Sequence, residues 1–171
     1  TQALSVTFDD PVNHITLEGH GRESIHQTLD VSQTVGWFTT MYPVRLEQQD
    51  SIEQTILYTK EMLRGIPTKG LGYSALSQQG EVNASLPKLS FNYLGQFGDN
   101  SDAPWQIVGT ETGLQIAAEN HGHLLLDING GVQHGKLQFG IRSYLPMFLT
   151  TTFVRQFKSA VEAVVQQSVS K

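Results

Sequence analysis

A short acidic, glycine-containing turn carries the residues best suited to chemistry in this sequence. Residues 14–17 alternate between polar and apolar side chains like a strand, Glu18 follows, and two glycines then bracket His20. A carboxylate at a strand end, beside glycines that let a ligand approach the backbone, suits general acid–base chemistry. The same pattern fits a tight strand-to-helix turn with Glu18 paired to Arg22, and the local residues alone favour that ion pair.

The elements that would position this turn predict an α/β fold. Ser51, with Gln54 three residues later, has the form of a helix N-terminal capping box, and Gly65 supplies the stop. Apolar residues at helical spacing continue to about Arg64, and a second apolar stripe predicts a helix from about Leu149 to Val169. Strand-like alternation occurs in five segments, which are 14–17, 40–46, 89–94, 123–128 and 136–143. This order predicts a layered sandwich with a mixed, largely antiparallel sheet and helices on one face.

The connections give three further expectations. Residues 1–6 look like the end of a helix, and residues 22–29 are expected to form a short helix or turn. Segments 123–128 and 136–143 read as an antiparallel pair, and the glycines of Asn129-Gly130-Gly131 are expected at its connection.

Composition excludes several classes of function. The 171 residues fit one domain, and the net charge of −5 without a cluster of Lys and Arg argues against nucleic-acid binding. The absence of cysteine excludes disulfides, thiolate chemistry and cysteine-ligated zinc. No apolar run reaches the length of a membrane span and no signal peptide begins the chain, so we expect a cytoplasmic protein. His121 and His123 are spaced for one strand face, but without a third ligand we expect no metal site.

Four longer motifs carry a resemblance to a known family. They are Leu-Glu-Gly-His-Gly-Arg-Glu (17–23), Thr-Val-Gly-Trp-Phe-Thr (34–39), Ile-Pro-Thr-Lys-Gly-Leu-Gly-Tyr (66–73) and Phe-Asn-Tyr-Leu-Gly-Gln-Phe (91–97). In this order they resemble the C-terminal half of the epimerization domain of nonribosomal peptide synthetases, within the condensation-domain superfamily. A Leu-Asp-Ile-Asn run at 126–129 fits the same family. The third motif continues as Gly-Tyr-Ser, where the family more often ends in glycine, and we interpret this as loop variation.

The resemblance implies a half-domain like chloramphenicol acetyltransferase that spans residues 1–171. The family's other half carries a His-His motif, and because the sequence has no His-His pair we expect that N-terminal half to be absent from it. The implied enzyme is an isomerase of antibiotic biosynthesis that interconverts L and D amino-acid residues. The implied partners are the N-terminal half, in whose absence an apolar face should be exposed, and an upstream peptidyl carrier protein. The substrate would be attached to the carrier's phosphopantetheine arm, and no cofactor would bind to this chain directly.

The resemblance also implies roles for particular residues. Glu18 would be the acid/base group, and Asn92 and Tyr93 would line the same cleft. There Asn92 would orient the pantetheine amides, while Tyr93 would donate to the developing oxyanion or relay the proton. His20 would shape the turn beside the substrate, and Trp37 would pack in the core and the cleft wall.

Some interpretations remain open at this stage. Lys69 fits a solvated side chain, with a role near the carrier phosphate as the alternative, and Asp127 fits a purely structural residue. The whole chain also admits a non-catalytic alternative, in which a scaffold half only docks a carrier protein or a neighbouring domain.

Overall fold

The chain folds into helices and strands in the computed structural model, which describes residues 1–83, 85–97 and 124–169 together with Gly113, Ala117 and Glu119. The elements in chain order are α1 (Gln2–Phe8), β1 (Val12–Gly19), β2 (Thr40–Glu47), α2 (Ile52–Arg64), a 3₁₀ turn (Pro67–Gly70), α3 (Tyr73–Gln78), β3 (Leu89–Phe97), β4 (Leu126–Gln133), β5 (Lys136–Ser143) and α4 (Met147–Val169). The predicted α/β class is confirmed.

The strands form one mixed sheet in the order β2-β1-β3-β4-β5. Strand β3 lies at the centre and runs parallel to both β1 and β4, while β2 and β5 pair antiparallel at the two edges. Antiparallel pairing therefore accounts for two of the four junctions, which is a smaller share than the sequence pattern suggested.

The hydrophobic core lies on one face of this sheet. Ile15, Val44 and Ile128 point from three different strands into a cluster with Leu4 of α1 and the fully buried Phe153 of α4. Alternate residues of a strand face opposite sides of the sheet, so the intervening side chains of the same strands occupy the other face. The helices that contribute to the core thus lie on one face, as predicted.

Local sequence signals place the helix ends closely. The Ser51 hydroxyl accepts a hydrogen bond from the backbone N–H of Gln54, and Gly65 follows the last residue of α2. The expected helix at the start of the chain is α1, which ends where Asp9 adopts a left-handed conformation with φ 51°. Helix α4 begins two residues earlier than predicted, at Met147, and ends at Val169.

The β4–β5 hairpin corrects one prediction. Strand β4 continues through Asn129-Gly130-Gly131 to Gln133, which pairs with Lys136, so the two-residue turn is His134-Gly135. Both turn residues have positive φ, 49° and 70°. Glycine at position 130 is instead explained by packing, because a Cβ there would lie 2.2 Å from Cε1 of the Phe139 ring.

Residues 22–29 contain no helix and only a turn near His26–Thr28, so the helical part of that expectation is wrong. Gly21 adopts φ 64°, and a Cβ at this position would lie 1.6 Å from the carbonyl oxygen of Phe38. The chain therefore bends tightly after β1 and folds back on itself before β2.

No helix in the described part of the chain is long and apolar enough to cross a bilayer.

Candidate functional site

Glu18 and Asn92 form a hydrogen-bonded pair on the sheet face opposite the helices. The parallel register of β1 and β3 pairs Thr16 with Ser90 and Leu17 with Phe91, so the next residues, Glu18 and Asn92, also lie side by side. The Asn92 Nδ2 donates to Glu18 Oε2 at 3.1 Å. The two residues are 74 positions apart in the chain, and the central strand brings them together.

The polar row continues across β4 to β5. Asn129 lies opposite Asn92 in the register, and its Nδ2 donates to Asp127 Oδ1 at 3.0 Å. Arg142 of β5 donates from Nη2 to the other oxygen, Asp127 Oδ2, at 2.9 Å. We call the side of the sheet that carries these five residues the Glu18 face.

The surroundings of Glu18 favour its protonated form. The side chain is half-buried, and the loss of solvation raises the pKa of the Glu18 carboxyl above its ordinary value of 4.5. The negative charge of Asp127 raises this pKa further. A carboxyl whose pKa is moved toward neutrality exchanges protons more readily near neutral pH, which is the property that a general acid–base group needs.

The turn after β1 is organised by His20 and Glu23. The backbone N–H of Arg22 donates to His20 Nδ1 at 3.0 Å, which leaves Nε2 to donate to Glu23 Oε1, also at 3.0 Å. The Lys69 ammonium contacts the same Glu23 oxygen at 3.1 Å. These contacts agree with the turn-shaping role predicted for His20. The Lys69 side chain is 66% exposed, as expected for a solvated residue, and its ammonium also forms an ion pair with Glu23.

Arg22 turns away from Glu18. Its guanidinium donates from Nη1 to the carbonyl oxygen of Val31 and from Nη2 to that of Gly36 at 3.4 Å. The same group lies over the Phe38 ring, 4.1 Å from the centroid. These partners overturn the alternative in which Glu18 is the ion-pair partner of Arg22.

Two predicted site residues, Tyr93 and Trp37, do not lie beside the Glu18–Asn92 pair. Tyr93 follows Asn92 in an extended strand and pairs with Gly130, whose missing Cβ faces Phe139 on the side of the helices. The alternation therefore directs Tyr93 to the face opposite Glu18, contrary to the expectation that Asn92 and Tyr93 line one cleft. Trp37 is 92% exposed, so it does not pack in the core of this chain, whereas its expected place in the cleft wall stays a prediction.

Sequence reasoning missed the network of Asp127, Asn129 and Arg142. The signal was the alternation of Asp127 and Asn129 along one strand, opposite Arg142 on a following strand. Without the order of the strands, nothing in the sequence relates these residues to Glu18, and Asp127 fits a structural residue.

The described residues contain no group of three or more His, Asp or Glu side chains that could hold a metal ion. His121 and His123, the histidines weighed as metal ligands, lie outside the described residues. The expectation that no cofactor binds directly stays a prediction.

Comparison with known proteins gives the class of this chain. The family model "Condensation domain" matches residues 7–171. One of the plipastatin synthase proteins of Bacillus subtilis is 40% identical over 146 residues, which covers 79% of this chain and 6% of that relative. A second plipastatin synthase protein of the same organism is 37% identical and is aligned over 92% of this chain and 7% of its own length. The chain belongs to the condensation-domain family.

Among solved structures, the epimerization domain from the third module of tyrocidine synthetase B superposes with a TM-score of 0.85 and 31% sequence identity. The superposition covers 99% of this chain and 40% of that domain. The condensation domain of the Monacolin K polyketide synthase superposes with a TM-score of 0.64 at 14% identity, which shows a shared fold. The chain thus spans less than a tenth of the two plipastatin synthase proteins and under half of the tyrocidine domain.

Proposed function

We propose that this chain is the C-terminal half of an epimerization domain of a nonribosomal peptide synthetase. The observation that carries the proposal is the Glu18–Asn92 pair, in which a half-buried carboxyl of raised pKa lies on the sheet face opposite the helices. The likeness to the tyrocidine epimerization domain, at 31% identity, supports the same assignment. The substrate is an aminoacyl or peptidyl thioester on the phosphopantetheine arm of an upstream carrier protein.

In the proposed reaction, Glu18 exchanges the α-proton of the thioester on one face of the substrate. Its carboxylate removes the proton, the C–H electron pair moves into an enolate, and an acid from the N-terminal half returns a proton to the opposite face. The reverse sequence uses the same groups, so L and D residues interconvert without any external reagent. Asn92 holds Glu18 through the 3.1 Å hydrogen bond and fixes the direction of its carboxyl group. Tyr93 has no part in this proposal, since its side chain leaves the opposite face of β3.

The competing function is a non-catalytic condensation-type half that only docks a carrier protein or a neighbouring domain. The family model that matches the chain carries the broader description "Condensation domain", which fits this alternative equally. A docking surface does not require a half-buried carboxyl group beside an amide donor, so the two functions differ in what they demand of Glu18.

The substitution Glu18→Gln in the complete two-half domain separates these functions. Glutamine keeps the size and the acceptor oxygen of Glu18 but cannot take up a proton, so only proton transfer should be lost. We expect deuterium washout from the α-position of a carrier-bound substrate to fall by about 100- to 10,000-fold, the usual contribution of a general acid–base group. Carrier binding should remain unchanged.

Glu47→Gln is the matched control, because Glu47 lies in the neighbouring strand β2 and is paired with Arg45 and Tyr58. Its washout rate should equal that of the unchanged domain. Near-normal washout in the Glu18→Gln protein would refute the proposed function.

A further inference from the structure

A second carboxylate on the Glu18 face has a fixed place and no role in the reaction proposed above. Asp127 lies on β4, and both of its oxygens are engaged, one by Asn129 at 3.0 Å and the other by Arg142 at 2.9 Å. Its side chain is only 17% exposed, whereas that of Arg142 is 48% exposed. A carboxylate that is held from two sides and mostly withdrawn from solvent has a defined position, unlike a mobile surface charge.

The register places this carboxylate near Glu18. Asp127 pairs with Ser90 on β3, and Asn129 pairs with Asn92, the partner of Glu18. Strands β1 and β4 are separated only by β3, so the spacing of strands puts Glu18 and Asp127 on the order of 10 Å apart. The intervening side chains on this face are uncharged, and charges at such a distance still interact.

The other charged and titratable groups around Glu18 are either distant along the strands or already paired. Within the described residues they are His14 on β1, Arg45 on β2 in its pair with Glu47, and the cluster of His20, Glu23 and Lys69 in the turns beside the end of β1. Strand β3 contributes only Ser90 and Asn92 to this face near Glu18. Asp127 and Arg142 are therefore the charges that the sheet itself presents from the β4 side.

We propose that Asp127 is a positioning residue for the Glu18–Asn92 pair, held in place by Arg142 and Asn129. This inference rests on the function proposed above and extends it to strands β4 and β5. The fixed negative charge of Asp127 makes the ionised form of Glu18 less favourable, and the guanidinium of Arg142 partly offsets that charge. The balance between these two side chains shifts the pH at which Glu18 gives up its proton, in addition to the effect of its burial.

Substitutions of Asp127 and Arg142 should therefore shift the pH at which Glu18 ionises in opposite directions. Asp127→Asn removes the negative charge, so Glu18 should ionise at a lower pH than in the unchanged protein. Arg142→Gln leaves Asp127 without its counter-charge, so Glu18 should ionise at a higher pH. The shift in Asp127→Asn should be about 0.3 to 1.2 pH units, as expected for unit charges about 10 Å apart at an effective dielectric constant between 80 and 20. The shift in Arg142→Gln should be smaller, because β5 lies one strand further from Glu18.

The direct test follows the ¹³C resonance of the Glu18 side-chain carboxyl by NMR during a pH titration of the complete domain. Asp127→Asn and Arg142→Gln are compared with the control Arg64→Gln, which removes a cation from an ion pair with Glu61 on α2, on the opposite side of the sheet. Opposite shifts in the two variants and none in the control support the proposal. Shifts of the same sign, or none beyond the control, overturn it, because a purely structural ion pair would affect stability alone.

The pH profile of α-deuterium washout provides the second measurement. Its acidic limb should move to lower pH in Asp127→Asn and to higher pH in Arg142→Gln. Loss of washout in Glu18→Gln with unmoved acidic limbs would leave the proposed function intact and refute the role of Asp127. Opposite NMR shifts in a domain whose washout does not depend on Glu18 would support the role of Asp127 and refute the proposed function. Should Arg142→Gln fail to fold, the Asp127→Asn titration still decides the proposal.

Discussion

At the scale of single residues, the position of Glu18 lowers the stability of the fold when its carboxyl group is ionised. Its carboxyl is half-buried, and the pKa is raised first by lost solvation and then by the charge of Asp127. A residue that serves only stability would more often carry the opposite shift, since a stabilising partner of a carboxylate lowers its pKa. The uncharged amide of Asn92 fixes the direction of the group without supplying a counter-charge.

This arrangement predicts how stability depends on pH. Because the pKa of Glu18 is higher in the folded chain than the ordinary 4.5, its contribution to stability is present when it is protonated and is lost as pH rises from 4.5 through the folded-state pKa. Glutamine does not ionise, so the Glu18→Gln variant should not lose this stability as pH rises. The melting temperature of the variant at pH 7 should equal or exceed that of the unchanged chain, and the difference should shrink toward pH 4.

Thermal melts of both proteins at several pH values measure this dependence. A melting temperature that drops at pH 7 in the Glu18→Gln variant would mean that the ionised carboxylate stabilises the fold, and our account of Glu18 would be wrong.

At the scale of elements, the β4–β5 hairpin depends on a glycine that makes room for an aromatic ring. Phe139 packs edge-on against Phe157 of α4, with ring centroids 4.9 Å apart, and lies 6.2 Å from the Phe91 ring of β3. Gly130 lies opposite Phe139 in the antiparallel register, where any side chain would occupy the space of the ring. Because Gly130 has no side chain, the Phe139 ring fits beside it and packs the hairpin against α4.

We expect Gly130→Ala to destabilise the chain by about 1 to 3 kcal/mol, the usual cost of overpacking a core. A Cβ at 2.2 Å from Cε1 of Phe139 forces the ring or the strand to shift, and the contact with Phe157 would be lost. Urea denaturation of the variant measures the change in the free energy of unfolding.

Gly140→Ala is the control for this prediction. The nearest atom to a Cβ at that position is the backbone oxygen of Asn129 at 3.9 Å, an ordinary contact distance. Alanine there should leave stability unchanged or raise it slightly through the entropy of the unfolded chain. Equal destabilisation by the two substitutions would exclude the packing explanation.

At the scale of the whole molecule, the described residues present one acid–base candidate, Glu18, to the proposed reaction, which needs two. Inversion at an α-carbon requires a proton to leave one face and another to arrive on the opposite face. The chain covers 40% of the tyrocidine epimerization domain, and we assign the second group to the remaining part. Trp37 and Val35, at 92% and 99% exposure, lie in the segment between β1 and β2. The apolar face expected in the absence of the N-terminal half stays a prediction, and Tyr93, on the other side of the sheet from Glu18, does not contribute to it.

We therefore expect the isolated chain to leave α-deuterium in a carrier-bound substrate unexchanged. Incubation with a loaded carrier protein, compared with carrier protein alone, measures the exchange. The same chain joined to the N-terminal half should restore exchange, which controls for a misfolded sample. Exchange by the isolated chain well above the no-protein background would contradict the two-half mechanism.

Local order along the chain followed from the sequence by itself. The capping box at Ser51, the apolar stripe of α4 and the strand before Glu18 are decided by neighbours within a few residues, and all three are present in the structure. The motifs around Glu18 and Asn92 also pointed to the family before any contact between them was known. Short-range propensity and residue type were enough for these features.

Tertiary structure alone decided which side chains meet. Glu18 pairs with Asn92 instead of Arg22 because β3 inserts between β1 and β4, and that strand order depends on contacts across 74 residues. The same order joins Asp127 and Arg142 to the Glu18 face, while the two-residue period of β3 directs Tyr93 to the other side. A sequence motif places Asn92 and Tyr93 together, but an extended backbone separates their side chains onto opposite faces of the sheet.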